Sequence, residues 1–247
     1  MTAPRVYVDA PLASGATIEL PEGPFRHLVQ VLRMQAGDPL VLFDGRGGEY
    51  EAHLDAVAKR SATVRVGAHH DVDRESGLDL TLVQGVSKGE RMDWTIQKAV
   101  ELGVRRIVPV TTERCNVHLD AERQEKRLEH WRGVIVSACE QSGRTRVPTL
   151  DPLRTYAQFL GIESSGIRFA LDPLGDESLA AAMDSAGKGE AITLIVGPEG
   201  GLSAAELEQA SRNGVRGVRL GPRVLRTETA GVVALAVLQA ARGDLRQ

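Results

Sequence analysis

The stretch LIVGPEGGLSAAEL, residues 194–207, contains an apolar run, a glycine-rich loop and the start of a helix in direct succession. The apolar run is typical of a buried parallel strand. Ser203 stands three residues before Glu206, which is the spacing of a helix-starting capping box. The intervening GPEGG, residues 197–201, has glycines that let a ligand approach the bare backbone. We therefore predict a strand–loop–helix unit whose loop contacts a ligand, with a plain tight turn as the alternative.

Two further predicted strands end in similar breaks. Gly221 and Pro222 directly follow the strand-like VRGVRL, residues 215–220. The run IRFALD, residues 167–172, stops at a proline, which disfavours helical geometry in the residue before it. Because the carboxyl ends of parallel strands meet at one edge of a sheet, the three loops are predicted to form one pocket.

The segment that leads into the last helix carries charged side chains. Thr229 is the predicted N-cap of a helix over 229–241, which leaves Arg226 and Glu228 in an irregular turn. Side chains in such a turn can point at a ligand. A surface ion pair between them, which stabilises little, is the alternative interpretation.

Strand and helix patterns alternate throughout residues 78–247, which indicates a parallel sheet covered by helices and hence an α/β fold. The predicted strands lie at 78–86, 104–110, 167–172, 191–197 and 215–220, and the predicted helices at 90–103, 120–142, 177–184, 203–213 and 229–241.

Residues 1–70 have a different sequence pattern, in which short β-rich runs are separated by turns. This pattern predicts a small barrel-like domain. The runs are at 6–9, 17–20, 39–44, 50–57 and 62–67, with an Asp-Gly hairpin signal at 44–48. Phe25, Leu28, Val29 and Leu32 form one apolar stripe on a predicted helix over 24–34. The polar stretch AHHDVDRESG, residues 68–77, predicts a linker over 71–77. Its histidines and aspartates lack an apolar shell, so we predict no metal site there.

Composition excludes several classes of protein. The net charge of −3 over 247 residues produces no general field that would attract a polyanion. Cys115 and Cys139 form no CxxC motif, which argues against a zinc ribbon or a disulfide framework and fits a reducing cytoplasm. We expect neither secretion nor a membrane partner, because no apolar signal segment or membrane-length run occurs. Fingerprints of phosphate-binding loops and Rossmann dinucleotide sites are also missing.

Several motifs together resemble one known family. They are GPEGG at 197–201, LGPRVLRTETA at 220–230, HLVQVLR at 27–33 with Gly37-Asp38, Lys88-Gly89 with KAVELG at 98–103, and EQSGR at 140–144. In these motifs the chain resembles the SPOUT methyltransferases and, more narrowly, the ribosomal RNA small subunit methyltransferase E family. The resemblance covers almost the whole chain.

The resemblance implies a fold that the patterns alone would not predict, since knotted chains are very rare. A C-terminal trefoil knot at about 171–230 would form the cofactor pocket, and the N-terminal domain would be a PUA-like β-barrel that holds RNA. Two subunits would pair through the knot domain as a homodimer. The implied activity is transfer of a methyl group from S-adenosylmethionine to N3 of a uridine in 16S rRNA, free or in the small ribosomal subunit.

The site residues follow from the matching positions. Those expected to bind the cofactor are Leu171, Asp172, Pro173, Val196, Gly197, Pro198, Glu199, Gly200, Gly201, Leu220, Gly221, Leu225, Arg226, Thr227 and Thr229. The residues expected to bind RNA are His27, Lys88, Gln141 and Arg144 in the matching motifs, and Arg5, Arg26, Arg33 and Arg46, which would have to gather on one face because residues 1–72 are not basic as a whole.

The predicted catalytic groups are Arg226, Glu199 and Glu228. Arg226 is the cation that would stabilise a uracil anion, and either glutamate could orient it or accept the proton. Two other functions stay open from the sequence. The chain could methylate another RNA, or it could be an RNA-binding ribosome assembly factor without catalytic activity.

Overall fold

The chain folds into two compact units. The structure, a computed structural model, describes residues 3–115, 120–162, 165–185, 187 and 189–246. Unit 1 holds Met1–Glu75 and Cys139–Val147, and unit 2 holds Ser76–Ala138 and Pro148–Gln247.

Unit 1 contains the predicted short strands. They are β1 (Arg5–Tyr7), β2 (Thr17–Glu19), β3 (Pro39–Phe43), β4 (Glu49–Val57) and β5 (Ala62–His70), arranged in the order β1-β3-β4-β5-β2. Only the β1–β3 pair is parallel, and the predicted glycine-rich hairpin joins the antiparallel β3 and β4. Alternate residues of these strands, such as Leu42 and Val64, are buried with Leu28 in one apolar core.

The helix of unit 1 is shorter and wider than predicted. A single turn, α1 (Glu22–Phe25), continues as a π-helical segment, Arg26–Val31. Phe25 and Leu28 are buried as the stripe requires, but Leu32 is 46% exposed. The π geometry adds one residue per turn, which rotates Leu32 away from the face that the α-helical spacing assigned to it.

The boundaries of the two units differ from the predicted 1–70, 71–77 and 78–247. Strand β5 continues to His70, and the next residues are held within unit 1, where the Thr145 hydroxyl donates a hydrogen bond to the Val72 carbonyl (3.1 Å). The Glu75 carboxylate is buried there against Arg144. Residues 139–147 return to unit 1 through long-range contacts, which no local pattern reports.

Unit 2 is the predicted α/β fold with a parallel sheet. Its strands are β6 (Leu80–Gly85), β7 (Arg106–Thr111), β8 (Thr149–Leu150), β9 (Arg154–Thr155), β10 (Ile167–Leu171), β11 (Glu177–Ser178), β12 (Ile192–Val196) and β13 (Arg216–Arg219). Its helices are α2 (Glu90–Glu101), α3 (Ala121–Ser142), whose last turn belongs to unit 1, α4 (Tyr156–Leu160), α5 (Leu179–Asp184), α6 (Ala204–Arg212) and α7 (Thr227–Arg242).

The strand order places the predicted loops together. The sheet runs β11-β13-β10-β12-β6-β7-β8, with β9 paired to β7, and its pairs are parallel. Every residue of β12 is buried, as expected for a central strand. Because β13, β10 and β12 are neighbours, the loops that follow them emerge at one edge. Among the described residues, no helix is both long and apolar enough to cross a membrane.

Candidate active site

One cavity lies where the loops after β10, β12 and β13 meet the first turn of α7. Its volume is about 590 Å³, within the usual range for small-molecule sites. The residues predicted for the cofactor line it, except Gly221 and Thr229. The three strand ends therefore form the single pocket that the sequence predicted.

The GPEGG loop packs backbone against backbone. The Gly201 N–H donates to the Pro198 carbonyl (2.8 Å), and Gly201 has a φ of +68°, which favours glycine. A Cβ on Gly197 would lie 2.8 Å from the Gly201 carbonyl carbon. The close approach of the chain to itself therefore requires glycine at 197, and the positive φ favours glycine at 201.

A buried hydroxyl joins this loop to α7. Thr227 Oγ1 donates to the Gly197 carbonyl oxygen (2.6 Å), and Gln84 Nε2 donates to Thr227 Oγ1 (3.1 Å). The helix begins at Thr227 with Arg226 as its N-cap, so the predicted N-cap at Thr229 is wrong. The hydrogen bond to Gly197 fixes the start of α7 two residues earlier and places Glu228 in its first turn.

One carboxylate oxygen of Glu199 accepts hydrogen bonds from donors on other elements. Its Oε1 accepts hydrogen bonds from the Lys88 backbone N–H (2.9 Å) and from Arg91 Nη1 (2.8 Å). Burial raises the pKa of Glu199, but these bonds, a bond to its own backbone and the Arg91 charge outweigh burial and lower it. Glu199 is therefore a carboxylate that holds the loop to the start of α2.

Glu228 has the opposite surroundings. Its Oε1 lies 3.9 Å from Arg91 Nε, while Oε2 is buried without a hydrogen-bond partner among the described residues. Arg226, two residues before it, is exposed at the pocket and forms no ion pair within the described part of the chain. A buried acceptor left unpaired is costly unless a ligand satisfies it.

Sequence reasoning missed two arginines of the pocket. Arg91 contacts both glutamates, and Arg114 Nη1 donates to the Gly200 carbonyl oxygen (3.0 Å). They follow β6, which is the neighbour of β12, and β7, which is the next strand beyond β6. The rule that strand ends converge could have found them if the strand order had been known.

The predicted RNA-binding residues occupy different environments. Arg26, His27, Arg33, Arg46, Lys88 and Gln141 are exposed. Arg5 is mostly buried, pairs with Glu49, and lies over the Phe43 ring at 5.0 Å.

Arg144 does not fit the predicted role in RNA binding. Its side chain is only 4% exposed and donates through Nε to Glu75 Oε2 (3.0 Å). A guanidinium that is buried and ion-paired cannot reach phosphate without breaking the pair, which is costly, so Arg144 neutralises the buried Glu75 instead.

Comparison with known proteins identifies the family. Residues 74–239 match the family described as RNA methyltransferase domain, and residues 20–67 match RNA methyltransferase PUA domain. Ribosomal RNA small subunit methyltransferase E of Bacillus subtilis (strain 168) is 31% identical over 228 residues, covering 88% of this chain and 89% of that protein. The Mycobacterium tuberculosis (strain CDC 1551 / Oshkosh) protein of the same name is 32% identical, covering 96% of this chain and 92% of its own. The chain belongs to the ribosomal RNA small subunit methyltransferase E family.

Solved structures related to this methyltransferase E family member share its fold. The ribosomal RNA small subunit methyltransferase E of Neisseria gonorrhoeae, bound to S-adenosylmethionine, has 41% identity and a TM-score of 0.93, covering 99% of this chain and 100% of its own. A methyltransferase from Legionella pneumophila, also with bound S-adenosylmethionine, has 39% identity and a TM-score of 0.95, with the same coverage. Unit 1 accordingly contains the PUA domain, and unit 2 contains most of the methyltransferase domain.

Proposed function

We propose that this protein transfers a methyl group from S-adenosylmethionine to N3 of a uridine in 16S rRNA. The observation that carries the proposal is the unpaired, buried Glu228 oxygen in the same pocket as Arg226. Membership of the methyltransferase E family and the cofactor in the two related structures support it.

The pocket residues fit this cofactor. The cavity combines apolar walls, such as Leu171, Val196 and Leu225, with backbone groups of the GPEGG loop. Such walls suit the adenosine, and the backbone polar groups suit its hydrogen-bonding edges. The cofactor supplies an electrophilic methyl group on a sulfonium. The loops that follow β10, β12 and β13 would hold it, and alignment of the reactants can lower the barrier by ~7–11 kcal/mol.

The side chains around the pocket supply the acid–base chemistry. Uracil N3 must lose its proton and form a bond to the methyl carbon, while the carbon–sulfur bond breaks and its electrons stay on sulfur. The Arg226 guanidinium would stabilise the negative charge that develops on the pyrimidine. Glu228 Oε2 is the better proton acceptor of the two glutamates, because Glu199 Oε1 already accepts two hydrogen bonds.

Arg91 would then act as a positioning residue. It contacts Glu199 on the GPEGG loop and approaches Glu228 on α7, so it holds the two carboxylates in a fixed relation.

The decisive experiment uses labelled cofactor, 30S particles lacking the modification, and nucleoside mass analysis. Arg226→Ala should abolish turnover and change cofactor affinity by no more than a few-fold; full activity would eliminate the proposed role. Glu228→Gln should lose more activity than Glu199→Gln, and the reverse order would reassign the proton acceptor. Product other than N3-methyluridine would indicate another target, and no heat with millimolar cofactor in calorimetry would favour a non-catalytic assembly factor.

Four finer features belong to the same proposal: a trefoil knot over about 171–230, closure of the unit 1 sheet into a barrel, a homodimer, and a cytoplasmic location where ribosomal RNA is found.

The dimer is supported by Leu174, which is 90% exposed, and Val224, which is 81% exposed, both at the pocket. A second copy would remove this apolar surface from water. Leu174→Arg should convert the dimer to a monomer in light scattering; an unchanged mass would exclude this surface as the interface.

A further inference from the structure

Gln84 is a polar side chain buried at the end of a central strand. It is fully buried on β6 and does not line the cavity. Its Nε2 donates to the Gly85 carbonyl (3.0 Å) and to Thr227 Oγ1 (3.1 Å), and lies 3.5 Å from the Gly197 carbonyl oxygen. Because three oxygen atoms surround Nε2, a rotation of the amide by 180° would place Oε1 against other acceptors. The orientation of the amide is therefore fixed.

The oxygen of the same amide is left without a partner. Oε1 is buried and accepts no hydrogen bond from the described residues. It faces Gly231 of α7, where an added Cβ would lie 3.6 Å from it and close to the methyl groups of Thr95 and Val196. A buried acceptor without a donor offsets what the hydrogen bonds of Nε2 contribute, so an apolar side chain would suit the fold at least as well. Stability alone does not account for a glutamine here.

The hydrogen bond to Thr227 connects Gln84 to the reactive end of the pocket. Thr227 is the first residue of α7 and stands between Arg226 and Glu228, the two groups to which the proposed chemistry is assigned. Its hydroxyl donates its single proton to the Gly197 carbonyl (2.6 Å) and accepts from Gln84. The end of β6, the GPEGG loop and the start of α7 therefore meet at one hydroxyl group.

We propose that Gln84 is a positioning residue, which holds the first turn of α7 where Arg226 and Glu228 face the reacting atoms. The inference rests on the proposed function and adds to it a residue outside the pocket. Without Gln84, the Thr227 hydroxyl would be bound only to the glycine-rich loop; with it, the hydroxyl is also bound to the sheet. A displacement of Thr227 would move both of its neighbours, and a shift of about 1 Å can lower a rate about 100-fold.

The test is Gln84→Met, which keeps an unbranched side chain of the same length and removes its polar groups. The Gly85 carbonyl would still accept from Ser87 Oγ (3.3 Å), and the Thr227 hydroxyl would still donate to Gly197. The melting temperature should therefore equal or exceed that of the wild type. Calorimetry should show that cofactor affinity changes by no more than a few-fold. On 30S particles lacking the modification, kcat should fall roughly ten- to a hundredfold with KM unchanged.

Gln239→Met is the matched control. Gln239 is also fully buried, on α7, and does not line the cavity. Both ends of its amide are satisfied, because Nε2 donates to the Leu102 carbonyl (2.7 Å) and Oε1 accepts from Ser76 Oγ (2.9 Å). The substitution removes these bonds, so the melting temperature should fall by several degrees while kcat and KM stay unchanged. The two glutamines should thus give opposite results in the two measurements.

A double-mutant cycle tests whether Gln84 acts through Thr227. Thr227→Val removes the hydroxyl, so adding Gln84→Met to it should lower kcat no further at saturating cofactor. Thr227→Ser keeps the hydroxyl, and in that background Gln84→Met should have its full effect. Additive losses of kcat in the Thr227→Val background would overturn the proposed connection.

Failure of the inference and failure of the proposed function are distinguishable. If the function holds and the inference fails, the wild type and Gln84→Met form N3-methyluridine with the same kcat. A lower melting temperature of Gln84→Met together with a lower kcat would make the role structural and would also overturn the inference. If the function itself is wrong, the wild type already forms no N3-methyluridine.

Discussion

Replacing Gly85 with alanine should disable the pocket, although Gly85 does not line it. Gly85 ends β6, and a Cβ there would lie 2.6 Å from both the nitrogen and Cδ of Pro198 in the GPEGG loop. Carbon atoms in ordinary contact are ~3.5–4.0 Å apart, so the loop would have to retreat by about 1 Å. A displacement of that size can cost about 100-fold in rate. We expect S-adenosylmethionine affinity and turnover both to fall, with turnover falling by about that factor.

Gly231→Ala is the matched control for this substitution. Gly231 lies inside α7, and its added Cβ would meet Gln84 Oε1 at 3.6 Å and Val196 Cγ2 at 3.8 Å, which are ordinary contacts. Alanine also favours the helix by up to about 1 kcal/mol relative to glycine. For Gly231→Ala, the cofactor affinity from calorimetry and the melting temperature should both be close to the wild-type values. Equal cofactor binding and turnover in Gly85→Ala and the wild type would refute the argument from close backbone approach.

Three further predictions concern stability and reactivity. Ser203→Ala removes the hydroxyl that accepts a hydrogen bond from the Glu206 N–H, so the free energy of unfolding measured in urea should fall by about 1 kcal/mol. An unchanged free energy would mean that the cap does not stabilise α6. Burial raises the pKa of the Cys139 thiol to about 12, so a thiol reagent at pH 8 should label Cys139 only after unfolding, and rapid native labelling would contradict this. Burial raises the pKa of Glu49, but the bonds and charges of Arg5 and Arg74 outweigh it and lower the pKa. The Glu49 carboxylate therefore stabilises the fold above its unfolded pKa and loses that contribution as pH falls through its folded pKa. In Glu49→Gln, the free energy of unfolding should fall less steeply as the pH is lowered than in the wild type. The same pH dependence in both proteins would contradict this.

Local patterns were sufficient for the features that depend on neighbours in sequence. The capping box at Ser203, the buried strand β12 and the glycine-rich turns each follow from residues a few positions apart. The convergence of the three strand ends followed from one general rule of parallel sheets. The place of the pocket in the fold could therefore be predicted before the structure was known, although Arg91 and Arg114 were missed.

Contacts between distant segments were not predictable in this way. Arg91 joins the pocket because β6 lies next to β12, and Arg144 is buried because residues 139–147 return to unit 1. The π-helical segment was missed for a different reason, since the hydrophobic spacing of Leu28 and Leu32 suits an ordinary helix. Arg33 at positive φ has no sequence signal, because arginine is not the residue that such a position normally selects.

The buried pair of Glu75 and Arg144 limits how this protein can be divided or recombined. Glu75 ends the first segment of unit 1, and Arg144 lies in its second segment. Ser76–Ala138, which belong to unit 2, stand between the two segments in the chain. A gene fusion that carried only residues 1–75 would leave the buried carboxylate of Glu75 without its guanidinium partner. This loss would lower the free energy of unfolding of a small domain by several kcal/mol. Unit 1 is thus discontinuous, and transplanting it to another protein would require both segments to be carried together.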